Sequence, residues 1–110
     1  MLKRRSKRRY LAILHGTDLD DISREEFNIL NSITKRNSEL FGHITTELSS
    51  VRLIRSHQKN MIIISCWLQY VDNILSTIAL IDPPLVTIVI SGSLKRLRRH
   101  LQKIVDNTYL

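Results

Sequence analysis

The sequence predicts an α+β domain of element order βαββαβα, an antiparallel four-stranded sheet covered by helices on one face. Three observations predict it. Runs of strand length, rich in β-branched residues, alternate with stretches whose apolar residues recur every three or four positions. Glycine, proline and Asn/Asp clusters fall between them. The 110 residues, 43% hydrophobic and 25% charged, suffice for one core, because folding at this length buries roughly two-thirds of the surface an unfolded chain exposes.

The elements follow in order. Residues 1–8 form a basic arm with too few apolar groups to pack, and 9–107 form the domain. Tyr10 to Leu14 is a short apolar run, so a first strand is expected near 8–15, ended by turn-forming residues 16–21. Ser23 with Glu26 three residues on has capping-box spacing, and Phe27, Leu30, Ile33 and Leu40 follow at near-helical intervals. A helix is therefore expected over 23–41, closed by Gly42. Residues 47–56 alternate imperfectly, with Ser49, Val51, Leu53 and Arg55 on one side and Leu48, Ser50, Arg52 and Ile54 on the other. After the polar break 57–60, the run 61–67 completes a hairpin as a buried, β-branched strand.

Val71, Ile74, Leu75, Ile78 and Ile81 fall on one helical stripe. Asp82, Pro83 and Pro84 stop that helix, because proline lacks an N–H and holds its predecessor extended. Residues 85–90 read as a fourth strand. Gly92 and Ser93 then supply a turn and an N-cap, and Leu94, Leu97, Leu101 and Ile104 make the inner stripe of a helix running to about 106. This order is that of the ferredoxin-like split βαβ sandwich with an added C-terminal basic helix.

Charge narrows the function. The net charge is +7 and the pI about 10.1, so a polyanion is the first partner to consider. Six cations with no acid occupy the start of the chain: Lys3, Arg4, Arg5, Lys7, Arg8 and Arg9. Five more, again with no acid, lie on the last helix: Lys95, Arg96, Arg98, Arg99 and Lys103. That helix begins at a Ser-Gly-Ser turn, where unpaired N–H groups and the positive dipole end add to anion attraction, with Ser93 at the cap. Asp18, Asp20, Asp21, Glu25 and Glu26 form a separate acidic patch.

Other classes find less support. The single cysteine, Cys66, permits no intramolecular disulfide and reads as a small buried apolar residue. The basic start is not followed by an apolar stretch of signal-peptide length, and no run approaches the ~18 apolar residues of a membrane span, so a cytoplasmic protein without membrane attachment is expected. RNA-recognition motifs share the topology but stack bases on aromatic residues of the central strands. Only Tyr10 and Trp67 stand there in a chain that is 5% aromatic, and both suit a core or interface better, so recognition by shape and backbone charge is expected. His15 with Asp18, Asp20 and Asp21 matches no metal loop, and His43 is separated from Glu39 by the helix-breaking Gly42, with Glu47 on its other side. His57 and His100 have no carboxylate or cysteine close in sequence. The Gly-rich phosphate loop with arginine that acylphosphatases carry after strand one is replaced by His15-Gly16-Thr17-Asp18. No catalytic site and no bound metal are expected of the chain itself.

Two stretches carry a family resemblance: Arg8-Arg9-Tyr10-Leu11 at the first strand, and Val89-Ile90-Ser91-Gly92-Ser93-Leu94-Lys95-Arg96-Leu97-Arg98-Arg99 from the last strand into the basic helix. Both resemble protein component 2 of archaeal ribonuclease P. The second is close to that family's Ser-Gly-Thr-Ile-Lys-Arg-Leu-Lys pattern, with Ser93 for threonine, Leu94 for isoleucine and Arg98 for lysine. Residues 43–84 carry no specific motif. The resemblance implies a non-catalytic subunit of the ribonucleoprotein that removes 5′ leaders from precursor tRNA, where the RNA subunit holds the catalytic magnesium. It also implies pairing with ribonuclease P protein component 3, with two such pairs able to associate. The RNA-binding residues expected are Lys3, Arg4, Arg5, Lys7, Arg8, Arg9, Ser93, Lys95, Arg96, Arg98, Arg99 and Lys103. Two other readings fit the same fold: an unrelated basic RNA or DNA binder, and a small-molecule regulatory domain that dimerises through its sheet, against which the basic ends argue.

Overall fold

The β-branched run Met61-Ile62-Ile63-Ile64 explains most of the architecture, because a strand apolar at successive positions must be covered on both sides. The computed structural model of the chain describes residues 7–15, 22–54, 56, 60–81 and 85–108, with side chains for all of these except 22–25 and 105–108. The elements are β1 (Arg8–His15), α1 (Ile22–Phe41), α2 (His43–Ser49), β2 (Arg52–Ile54), β3 (Met61–Trp67), a single 3-10 turn (Leu68–Tyr70), α3 (Val71–Ala79), β4 (Leu85–Ser91) and α4 (Leu94–Thr108). The strands form one antiparallel sheet of order β2-β3-β1-β4.

In β3 every residue from Met61 to Cys66 is buried. Ile62, Ile64 and Cys66 face one side with Leu11 and Ile13 of β1, and there they meet Ile29 and Ile33 of α1 and Val71, Ile74 and Ile78 of α3. Met61, Ile63 and Ala12 face the other side, where Leu97 and Leu101 of α4 close over them. The sheet is thus covered by α1 and α3 on one face and over part of the other by α4, not on one face alone as the element pattern suggested. The reason lies in the sequence: Ala12, Met61 and Ile63 present apolar surface on the second face, so the leucine stripe of α4 buries it there, at about 25 cal/mol per Å² removed from water.

A second correction concerns residues 47–56. Glu47, Leu48 and Ser49 belong to α2, and only Arg52–Ile54 pair as a strand. Gly42 adopts φ 95° and ψ 157°, a region essentially restricted to glycine, and so ends α1 while letting the chain restart as a second helix. Ser50 ends α2 in the left-handed conformation at φ 50°. The imperfect alternation across 47–56 was the trace of this helix.

The remaining boundaries differ little. α1 begins at Ile22, which puts Ser23 inside the first turn and not at the cap; the Ser23 side chain lies outside the described ones. α3 ends at Ala79, two residues before Ile81, and residues 82–84 are outside the described set, as are 16–21 and 57–59. β4 carries a bulge opposite Ala12/Ile13, which turns this edge strand and places both Ile88 and Val89 against the α4 cluster.

Cys66 has no solvent exposure, and burial pushes its thiol up to about 11, with Arg8 pulling weakly the other way. A thiol of raised pKa in the folded state keeps its proton while the unfolded chain loses its own, so it withdraws stability as pH rises through the free-thiol value, until about 11. Each pH unit in that window costs up to about 1.4 kcal/mol. Urea titrations at pH 8 and 10 should therefore show a steeper alkaline loss for the native chain than for Cys66→Ala. Thiol reagents at neutral pH should label Cys66 only as the protein unfolds.

Candidate nucleic-acid interface

The two ends of the chain meet in the sheet. Tyr10 pairs with Ser91, Leu11 with Ile90 and Ala12 with Val89, so the basic start of β1 lies beside the turn that leads into α4. Ser93 caps that helix: its hydroxyl accepts from the Arg96 N–H at 3.4 Å and its carbonyl from the Leu97 N–H at 3.0 Å. The Ser93 N–H donates in turn to Ser91 Oγ at 3.2 Å.

Leu97 and Leu101 are buried, whereas Lys95, Arg96, Arg98, Arg99, His100 and Lys103 are exposed. The first turn of α4 contains no acid, although a helix N-terminus favours anionic side chains and is destabilised by cations. Arg9 adds to this charge. A Cβ placed on Gly92 would lie 3.0 Å from Arg9 Nη1 and 3.4 Å from its Cζ, so the glycine makes room for the guanidinium beside the turn. Arg9 Nη1 also donates to the Arg8 carbonyl at 3.2 Å, and Lys7 is exposed just before.

Arg8 points to the face of the sheet on which α4 lies, but beyond its leucines. Its Nε and Nη2 donate to Ser65 Oγ at 3.1 and 2.7 Å, and Nη2 also to the Ser50 carbonyl at 2.6 Å. The guanidinium stands 4.7 Å from the centre of the Trp67 ring, within cation-π range. Nη1 is buried with no acceptor among the described residues. Burial first, and then the neighbouring Arg52, pull the Arg8 pKa below its ordinary value, while Cys66 and Tyr10 oppose them.

Of the expected RNA-binding residues, the structure gathers Lys7, Arg8, Arg9, Ser93, Lys95 and Arg96 around one end of the sheet, with Arg98, Arg99 and Lys103 further along α4. Lys3, Arg4 and Arg5 lie outside the described residues. Arg52, Ser50 and Ser65 were not anticipated; alternation placed Arg52 on a face, but only the strand register, Arg52 opposite Ser65, puts it beside Arg8. Tyr10 packs against the α4 cluster and Trp67 lies under Arg8, so the face is no open stacking platform.

Two of the described histidines are exposed, His43 and His100. His43 Nε2 lies 3.8 Å from Glu47 on the exposed side of α2, and Glu39 pairs instead with Arg36 at 3.0 Å. His15 is buried, and His100 is exposed on α4. Asp18, Asp20, Asp21 and His57 are outside the described residues. Among the described residues, no three His, Cys, Asp or Glu side chains converge as a metal site, and no helix is long and apolar enough to cross a membrane. No protein-family model and no curated protein matches the chain.

Proposed function

We propose that this chain is a non-catalytic RNA-binding subunit of ribonuclease P, in the manner of protein component 2, assisting a catalytic RNA in removing 5′ leaders from precursor tRNA. The observation that carries the proposal is the first turn of α4. Cations stand there against the helix dipole with no acid to offset them, and Arg9 is packed beside the same turn. Such a conflict with local helix preference is repaid when a phosphate occupies the site. The two stretches that resemble component 2 are the two that adjoin here.

The strand order β2-β3-β1-β4, antiparallel throughout, supports reading the domain as a ferredoxin-like βαββαβ unit, with α2 inserted before the second strand and α4 laid across the free face. Bringing precursor tRNA against a catalytic RNA joins two polyanions, and fixed cations reduce their repulsion and the magnesium required. The magnesium itself belongs to the RNA.

A protein partner of component 3 type also has a surface to bind. α2 turns Ser49 inward and leaves Ile44 and Leu48 76% and 55% exposed, one turn apart and next to the half-exposed Phe41 at the end of α1. Apolar residues facing out while a serine faces in are a mark of an interaction face.

The decisive experiment is precursor-tRNA cleavage by ribonuclease P RNA at modest magnesium with component 3 present, with and without this protein. Stimulation requiring both proteins is the expected result. Ile44→Glu with Leu48→Glu should abolish it while leaving RNA binding and the thermal midpoint in place, since both side chains are exposed. RNA binding without any stimulation would reduce the chain to a generic basic RNA binder.

A further inference from the structure

A second cationic centre lies apart from the α4 turn, on the half of the sheet that α4 leaves uncovered. Strand register puts Arg8 opposite Trp67, and both Tyr10 and Arg52 opposite Ser65. Side chains alternate along strands, so these five residues share one face across β1, β3 and β2. The core cluster under α4 includes Tyr10, Ala12, Met61, Ile63 and Ile54, but not Arg8, Ser65, Trp67 or Arg52.

Arg8 is not a mobile surface cation here. Ser65, the Ser50 carbonyl and the Trp67 ring hold its guanidinium from three directions. Arg52, by contrast, is exposed and has no acidic partner among the described residues; the ion pairs there are Arg36–Glu39 and His43–Glu47. A fixed, half-buried cation thus stands beside an exposed one, and among the described residues no carboxylate neutralises either. Burial first, and then repulsion from Arg52, lowers the Arg8 pKa, and an anion beside both relieves that repulsion.

We infer that Arg8 and Arg52 form a phosphate clamp, distinct from the α4 turn, for a backbone phosphodiester of the RNA ligand, in which exposed Arg52 supplies the N–H donors and Arg8, whose own donors are bonded or buried, supplies a fixed positive charge beside it. This rests on the RNA-binding reading and deepens it. RNA is favoured as the source of the phosphate because the clamp adjoins the basic start of β1, whose Lys7 and Arg9 lead on to the α4 turn. One strand can therefore run from one centre to the other.

Trp67, the only tryptophan, lies against Arg8 and reports on the clamp directly. A twelve-residue oligouridylate titrated into the full-length protein should shift Trp67 emission. Arg52→Gln should remove that shift, weaken binding about tenfold and lower the salt slope by about 0.7, the value for one single-strand phosphate. Arg52 makes no hydrogen bond among those described, so this variant should fold normally; its melting curve checks that. Arg8→Lys keeps the charge but loses the bonds to Ser65 and Ser50 that fix its position, and should also weaken binding. Inorganic phosphate at matched ionic strength should leave the emission unchanged, and a full response to it would overturn RNA as the ligand in favour of a small-anion site. Binding that depends on the α4 cations while Arg52→Gln changes neither affinity nor slope would overturn the clamp and spare the RNA-binding reading. No binding by the native protein would overturn both.

Discussion

Replacing Lys95, Arg96, Arg98 and Arg99 together with glutamine is expected to flatten the salt dependence of the proposed RNA binding by about 3 units of log affinity per log salt, if each contacts one phosphate at about 0.7 to 0.9 apiece. Near 0.1 M salt this corresponds to a loss on the order of a hundredfold or more. The fold should not suffer. All four side chains are exposed and outside the leucine stripe that packs α4 on the sheet. Lys95 and Arg96 oppose the helix dipole from the first turn, so their removal should leave the thermal midpoint unchanged or raise it, at about 0.3–1 kcal/mol per relieved charge. That pairing of outcomes separates a binding surface from an ordinary solvated helix face. A purely solubilising face would give the same small stability change with no change in slope. An unaltered slope would move the RNA surface to the arm and the start of β1, from Lys3 to Arg9.

The legible parts of this fold are those where local pattern and tertiary environment agree. β1 and β3 stand where the apolar runs placed them, and α3 and α4 follow their 3.6-residue stripes. α2 was illegible because seven residues, His43–Ser49, are too short to display a period, and because its apolar Ile44 and Leu48 face outward, reversing the pattern that marks a helix. Coverage of the second sheet face was present in the run 61–66, but periodicity does not say which helix covers which side. For the candidate site, charge clustering revealed the cations of the arm and of α4. Arg52 stayed hidden because its proximity to Arg8 depends on how β2 registers against β3, a long-range fact that one strand's sequence does not contain. Arg8 was foreseen as one surface cation among six, whereas it is held by Ser65, Ser50 and Trp67.

Asn37 should prove the most sensitive polar position in the domain. It has no solvent exposure and joins three helices: its Nδ2 donates to Thr46 Oγ1 of α2 at 2.8 Å, and its Oδ1 accepts from Thr77 Oγ1 of α3 at 2.8 Å. The Thr46 hydroxyl passes its own proton to the Gly42 carbonyl at 3.0 Å, and that of Thr77 also lies 2.9 Å from the Asn73 carbonyl. Asn37→Ala removes both links and leaves a small void, an expected loss of about 2–4 kcal/mol. For a domain of this size that corresponds to roughly 10–25 °C in thermal midpoint. Asn37→Asp tests the electrostatics separately. A carboxylate there is buried, so desolvation raises its folded-state pKa above the unfolded value of about 3.9. The proton is then held more tightly in the folded state, and stability falls as pH rises through the unfolded value. Urea midpoints should accordingly be lower at pH 7 than at pH 4 for Asn37→Asp relative to the native chain; equal differences at both values would mean that the site admits water. Because this network positions α2, a partially destabilised Asn37→Ala should lose the proposed partner interaction through Ile44 and Leu48 before the proposed salt-dependent RNA binding of α4, which packs on the opposite face of the sheet.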